Sequence, residues 1–429
     1  MSAPVTFLPK DTEDKCLRCK EALAVLRARK EIFCADCFVF FLRGKQRKLM
    51  LDECYKVKYC AVAESLGVQR VLLPLSYGAC SLVLLDMVAS LLLEQNLAHG
   101  GRQGFELAVL HIRERRGTPL RGVKVCRDSM CHFWPLVAKF SPVRIAYHEI
   151  DLETATIDEP VITSVSNHFE VLARPHDSPK TVADLLQLCA SRSLQEDLLD
   201  VLKNELVQQY AAKTGCQTVI YGHSMTRLAE KVIALTVKGR GLTIHSSVTN
   251  RTVNCDGRAL HIIYPFREIL KAELVAVLLF DAHLKGHLAH EDASGTRFAK
   301  DMTVRDFITQ YFDALDASGY ASTASTVVKT AEKLAGPKEP VLGECEVCGC
   351  GIHHAPQKWL KDITVATPAP LVTEEERLYA REYAVSESLA SGRVFVVCYG
   401  CTVTLAASGE GFMWATRATK KEIVDEYVL

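Results

Sequence analysis

The chain has 429 residues, enough for two or three domains. Its 51 Lys and Arg balance its 51 Asp and Glu, so no global field draws it to nucleic acid, and any such role must come from local patches. With 48% hydrophobic and 24% charged residues, its composition is ordinary for a soluble globular protein.

The first 15 residues carry neither an apolar signal core nor an Arg-rich amphipathic leader, which reads as a cytoplasmic protein. Seventeen cysteines are many for a reducing compartment, where clustered cysteines bind metal rather than build a disulfide framework. Cys16-x-x-Cys19 and Cys34-x-x-Cys37 form the first cluster, with 14 residues between the pairs. Two such knuckles point four thiolates at one centre, which suits a closed, structural zinc with no position left for water. Around them, from residue 15 to residue 58, 12 Lys and Arg face five acids. Phe38, Phe40 and Phe41 lie just before Arg43, Lys45, Arg47 and Lys48. That patch has two readings: an RNA-backbone surface, or a solvated helix face over core phenylalanines.

Residues 70–75 are a short, branched, apolar run that reads as a buried parallel strand. Residues 76–81 are a small-residue turn, and residues 82–95 read as an apolar helix. Pro74, Gly78 and Asp86 break this stretch, so it is a soluble strand and helix rather than a membrane span. Strand, small-residue loop and helix present backbone N–H groups to a phosphate. Further strands are expected at 105–112, 143–150 and 217–221, with helical patterns at 182–188 and 194–213. This alternation predicts an α/β fold, a parallel sheet with helices on its faces. A ligand crevice then forms beyond the strand C-termini, where residues 76–81 and 222–224 both fall. Residues 152–180 read as a long connection and 239–258 as an irregular or hairpin segment. Residues 261–280 read as a strand followed by an apolar helix, and 304–315 as an amphipathic helix.

Residues 333–343 are rich in Pro and Gly and look like a linker. Cys345 and Cys348 follow, matched by Cys398 and Cys401 after the apolar run 394–397, with 49 residues between the pairs. These four are the expected second structural zinc site, with Cys350, His353 and His354 as competing ligands. Residues 373–377 open a charged helical stretch. The expected domains are 1–60, a zinc ribbon with a basic patch; 61–335, the α/β domain; and 336–429, a second zinc module with an insertion.

A zinc ribbon, a strand-loop-helix, a Gly-His strand end and a terminal zinc module, in that order, resemble the tRNA-thiolation branch of the PP-loop ATP pyrophosphatases. The degraded loop resembles the second subunit of the cytoplasmic wobble-uridine thiolation complex, the cytoplasmic tRNA 2-thiolation protein 2 family. The resemblance implies a PP-loop-type doubly wound parallel sheet with helices on both faces, flanked by the two zinc modules. The active branch carries Ser-Gly-Gly-x-Asp-Ser at the loop; here Ser76, Gly78 and Ser81 match, while Tyr77 replaces a glycine and Cys80 the aspartate. A tyrosine there is expected to crowd a backbone that must approach phosphate closely. The active branch continues Gly-His-Asn-x-Asp-Asp; Gly222 and His223 match, but Ser224, Thr226 and Arg227 stand at the amide and carboxylates, which removes magnesium ligands.

The cysteines that hold an iron–sulfur cluster or carry sulfur in the active branch are also absent, both near residues 196–199 and between Cys255 and Cys345. Neither ATP nor an iron–sulfur cluster is therefore expected in this chain, and no catalytic residue is assigned. Cys80 has two readings, an acidified nucleophile or a small residue filling a disused pocket. The resemblance implies a non-catalytic subunit that pairs as a heterodimer with an active PP-loop subunit and helps bind tRNA. It further implies 2-thiolation of the wobble uridine in tRNAs for Lys, Glu and Gln, with sulfur from a thiocarboxylated ubiquitin-related modifier. Two other readings are an active ATP-dependent tRNA-modifying enzyme with an altered site and a zinc-dependent protein-interaction adaptor.

Overall fold

The computed structural model describes residues 4–9, 11–50, 53–59, 67, 69–113, 129–152, 182, 186, 191–255, 257–289, 302–334, 336, 338–345, 350–353, 371–381 and 398–401. Strands β1 (Val5–Phe7), β2 (Leu26–Ala28) and β3 (Glu31–Phe33) form a small antiparallel sheet, with Val5 opposite Ala28 and Leu26 opposite Phe33. The β2–β3 turn places Arg29 and Lys30 at φ +50 and +73°, the sense that matches strand twist in a two-residue hairpin. Without glycine this geometry costs about 1–3 kcal/mol per residue. It aims Arg29 at the core domain, where its guanidinium meets Glu273 at 2.5 and 2.8 Å and the Glu268 carbonyl at 2.8 Å. Helix α1 (Ala35–Lys48) starts at Cys34, whose sulfur accepts the Cys37 N–H, and buries Phe38 and Leu42. Phe7 and Phe38 both pack edge-on against Phe280, so the N-terminal module shares the main hydrophobic core.

The central sheet contains β4 (Gln69–Pro74), β5 (Phe105–Arg113), β6 (Ile145–Asp151), β7 (Thr218–Ile220), β8 (Arg251–Cys255) and β9 (Arg258–Ile263), in the order β6-β5-β4-β7-β9-β8. All pairings are parallel except β8 with β9. The helices that follow these strands are α2 (Ala79–Ala98), α3 (Ser129–Val137), α4 (Arg192–Thr214), α5 (Met225–Val237), α6 (Ile244–Val248), α7 (Lys271–Phe280) and α8 (Ala282–Gly286). Helices α9 (Val304–Ala317) and α10 (Ser322–Lys333) pack on α5. A short hairpin, β10 (Gly343–Glu344) and β11 (Gly351–Ile352), follows.

Strand β4 is central and buried on both faces. Val71 and Leu73 join α2 on one side, while Leu72 meets Val207 and Ala211 of α4 on the other. That is why its sequence is a continuous apolar run rather than an alternating one. Helix α2 is long and apolar enough to cross a membrane by length and composition, but 61% of its apolar window is buried inside the protein. Its Asp86 is paired with Lys139 at 2.6 Å.

The sequence expectations for 70–75, 105–112, 143–150, 194–213 and 304–315 coincide with β4, β5, β6, α4 and α9 within a few residues. The helix after the loop begins at Ala79, three residues earlier than periodicity placed it, because Gly78 takes the extended N-cap conformation. The stretch 239–258 holds both α6 and strand β8. Apart from Leu152, the long connection expected at 152–180 lies outside the described residues, as do most of 182–188 and the apolar run 394–397.

The degraded crevice, two cysteine centres and a basic helix

The sheet order reverses direction between β4 and β7, and this switch point is where a doubly wound fold opens its crevice. The loops after these two strands meet there. A Cβ on Gly222 would lie 3.1 Å from the Ser81 Cα and 3.2 Å from the Cys80 carbonyl oxygen, so only glycine lets the second loop close on the first.

The first loop is closed on itself. Ser81 Oγ donates to the Gly78 carbonyl at 3.0 Å, leaving its oxygen to accept from Ser76 Oγ at 3.1 Å. The Gly78 N–H points at Ser76 Oγ, 3.4 Å away. Groups that would hold a phosphate thus bond to one another. Tyr77 stands at φ +55°, a glycine-like backbone. The expectation that its ring crowds the phosphate approach is not met. The ring turns into the core, 1% exposed, where its hydroxyl donates to that of Tyr147 at 3.2 Å. Burial of so large an aromatic surface outweighs the strain of a left-handed tyrosine. Cys80 sits at the N-terminus of α2, yet burial pushes its pKa up to about 11 against the pull of Lys271 and Ser224. A protonated thiol is the pocket-filling residue, not an activated nucleophile.

The second loop is also rewired. Ser224 Oγ accepts the Arg227 N–H at 3.2 Å and caps α5. Thr226 Oγ accepts the Lys271 N–H at 3.2 Å, and the Arg227 guanidinium pairs with Glu230 at 3.0 Å. Where the resemblance places carboxylates for magnesium, this chain has a hydroxyl already engaged and a cation. Across the crevice, Arg305 of α9 pairs with Glu196 of α4 at 2.9 Å and with Asp200. Burial alone would raise Asp200, but Arg305 outweighs it and holds the carboxyl well below the usual range. Burial, then the charges of Lys231 and Arg227, depress His223 far below its ordinary value, so its ring is neutral at pH 7. That ring stacks on Tyr264 with centroids 5.5 Å apart.

The sulfurs of Cys16, Cys19, Cys34 and Cys37 all lie within 4.8 Å of one another. The Cys19 and Cys34 sulfurs are 3.9 Å apart, close to the roughly 3.8 Å edge of a tetrahedral zinc–thiolate centre. Burial raises Cys16, but the N–H groups of Cys19, Cys34 and Arg18 overcome this and bring it down to about 6. Burial and the three neighbouring sulfurs drive Cys37 up to about 12. Four clustered thiols therefore cannot all ionise unless a cation joins them, and a soft divalent metal fits this donor set. In the second cluster Cys345, Cys350 and Cys398 converge within 4.8 Å. The Cys401 N–H points at the Cys398 sulfur, 3.5 Å away. Cys348 and His354 lie outside the described residues, and His353 Nδ1 is turned to the Glu339 carbonyl at 2.8 Å. Cys350 is therefore the competitor that stands beside Cys345 and Cys398.

The basic helix divides. Arg47 contacts both oxygens of Glu94 at 2.6 Å, and Arg43 reaches Ser90 at 3.2 Å and Asp86 at 3.7 Å. Both side chains rivet α1 to α2, whose residues 86, 90 and 94 recur at the same four-residue spacing. Lys45 lies 5.3 Å from the Phe41 ring, and Lys48 is exposed with no ion pair among the described residues.

The family described as cytoplasmic tRNA 2-thiolation protein 2 matches residues 303–403. A curated relative of that name from Debaryomyces hansenii is 43% identical over 448 aligned residues, covering 100% of this chain and 98% of its own length. One from Scheffersomyces stipitis is 42% identical, covering 99% and 98%. This chain belongs to the cytoplasmic tRNA 2-thiolation protein 2 family. Among solved structures it is similar to the U34-tRNA thiolase NcsA from Methanococcus maripaludis, solved with its [4Fe-4S] cluster. The TM-score is 0.50 at 13% identity, over 79% of this chain and 92% of that one, a likeness of fold. The family match covers α9, α10 and the second cysteine cluster.

Reading by motif missed Lys231, Arg251, Asp200 and Arg305, which line the crevice. They come from four separate elements, and no local pattern links them.

Proposed function

We propose that this chain is a non-catalytic subunit of a cytoplasmic tRNA 2-thiolation complex. It pairs with an active PP-loop subunit, helps bind tRNA, and supports 2-thiolation of the wobble uridine in tRNAs for Lys, Glu and Gln. A thiocarboxylated ubiquitin-related modifier supplies the sulfur to the complex. The observation that carries this reading is the crevice: its loop hydroxyls Ser76 and Ser81 are bonded to each other, and Arg227 occupies a metal-ligand position. Zinc is the proposed metal at both cysteine centres, held by Cys16, Cys19, Cys34 and Cys37 and by Cys345, Cys398 and two of Cys348, Cys350 and Cys401. Each centre is structural, because thiolates fill the coordination shell and leave no site for water. Residues 1–60, 61–335 and 336–429 are the proposed domains. In the first, Lys45 and Lys48 are the members of the basic set left to meet RNA, since Arg43 and Arg47 bind α2.

The test is to purify the chain alone and with its PP-loop partner, then measure ATP binding and wobble thiolation. The expected outcome is no ATP binding by the single chain and thiolation only in the presence of the partner. Tight ATP binding, or turnover by the single chain, would sink the proposal.

A further inference from the structure

The crevice continues from the Gly222–Ser81 contact along α5 toward α4 and α9, and its charges do not cancel. Arg305 is taken by Glu196 and Asp200, and Arg227 by Glu230. Lys231 makes no salt bridge among the described residues. The acidic residue whose charge it feels is Asp200, already bonded to Arg305. Arg251 donates to neutral groups, the Ser246 carbonyl and, at 3.4 Å, the Tyr264 hydroxyl. His223 Nδ1 is buried without a hydrogen-bond partner among the described residues. Among the described residues, Arg227, Lys231, Arg251 and Arg305 thus outnumber Glu196, Asp200 and Glu230 by one positive charge, beside an orphaned ring nitrogen, and an anion would complete the arrangement.

The crevice is open to that anion. Arg227 keeps 34% of its side-chain surface and Asp200 42%, and Lys231, His223 and Tyr221 are each partly exposed. Residues 227 and 231 are four apart on α5, so they share one face roughly 6 Å apart, and His223 stands just before the N-cap Ser224. A pair of cations at that spacing suits a diphosphate or successive phosphates of a nucleic-acid strand better than a single carboxylate. Ser224 caps the same helix with its N-terminus toward the crevice, which adds a favourable dipole.

We propose that the crevice binds phosphate groups, with Lys231, Arg227 and His223 as the contacting residues and without a metal ion. The site lies on α5, apart from the loop 76–81, whose hydroxyls bond to each other. It deepens the reading of the chain as a non-catalytic subunit: the cavity of a lost ATP reaction holds phosphate by direct cationic contact.

The probe is sodium pyrophosphate, titrated calorimetrically into the full-length chain. Lys231→Met should weaken binding about tenfold or more, as expected for loss of a charged hydrogen-bond partner. Lys231→Arg should keep most of the affinity, and Lys329→Met, at an exposed position on α10, should leave it unchanged. Pyrophosphate should also raise the thermal midpoint of the wild-type chain, a readout independent of how the variants fold. Displacement of pyrophosphate by unmodified tRNA would identify an RNA strand as the source of the phosphates. Displacement by inorganic phosphate and not by tRNA would identify a free phosphate. Absence of binding to the wild type, or equal binding to Lys231→Met, would overturn the inference. Neither result touches the subunit assignment, which instead fails if wobble thiolation proceeds without this chain.

Discussion

The Arg29–Glu273 contact joins the N-terminal module to the core domain, and its asymmetry makes a sharp prediction. Glu273 is fully buried, while Arg29 keeps about a third of its side-chain surface. Glu273 accepts from Arg29 at 2.5 and 2.8 Å and from the Leu270 N–H at 2.8 Å. Arg29→Met leaves a buried carboxylate with one backbone donor, and an uncompensated buried charge costs about 3–5 kcal/mol. Glu273→Met removes the cap of α7, about 1 kcal/mol, and lets a partly exposed guanidinium return to water. Its cost should be about 1–2 kcal/mol. The double variant replaces the pair by two apolar side chains and should resemble Glu273→Met alone. Adding the second substitution to Arg29→Met therefore restores stability. Urea denaturation followed by circular dichroism measures all four proteins. Additive costs, or Glu273→Met costing more than Arg29→Met, would refute the reasoning.

Gly222→Ala forces a Cβ against the backbone of residues 80 and 81 and should destabilise the core by about 1–3 kcal/mol, read from the same melts. His223 has a folded pKa below its unfolded value, so the unfolded chain binds more protons and stability falls as pH drops below about 6.5. Burial and the cations Lys231, Arg227 and Arg305 oppose its protonation while Asp200 favours it; His223→Phe should flatten the slope by up to about 1.4 kcal/mol per pH unit. Metal analysis should find near two equivalents of zinc per chain, and a strong chelator should lower the unfolding midpoint; a content near zero would contradict both centres. Charge reversal at Lys45 and Lys48 should weaken tRNA binding and reduce its salt dependence, whereas reversal at Arg43 and Arg47 should chiefly lower stability through Asp86 and Glu94.

Much of the fold was legible because its signals are local. The apolar run of β4, the small-residue loop and the periodicity of α4 and α9 each lie within one segment. The two CxxC pairs of the first centre carry their geometry in their spacing. What escaped depends on contacts across the chain. Arg43 and Arg47 look like free cations until α2 supplies Asp86, Ser90 and Glu94. Tyr77 looks like an obstruction until Tyr147 and His111 offer its ring a place in the core. Cys350 is one of three competing ligands in the sequence, and spacing does not choose among them; the β10–β11 hairpin sets it beside Cys345 and Cys398 by folding residue 350 back, with the Cys345 N–H on its carbonyl at 2.8 Å.

On the proposed non-catalytic reading, loss of one chemistry need not empty a site. A sheet switch point still presents two loop ends and the N-termini of α2 and α5, whatever side chains it carries. Once carboxylates leave such a place, its backbone dipoles and remaining cations are no longer balanced. In this chain Arg305 and Arg227 restore part of the balance through Glu196, Asp200 and Glu230. That network also ties α4, α5 and α9 together, so these crevice side chains serve stability. Lys231 and Arg251 lie outside it. A site kept only for stability would favour apolar residues at those two positions, because desolvating a cation without a carboxylate partner is costly. Their presence is the reason to expect an anionic ligand in the proposed non-catalytic crevice.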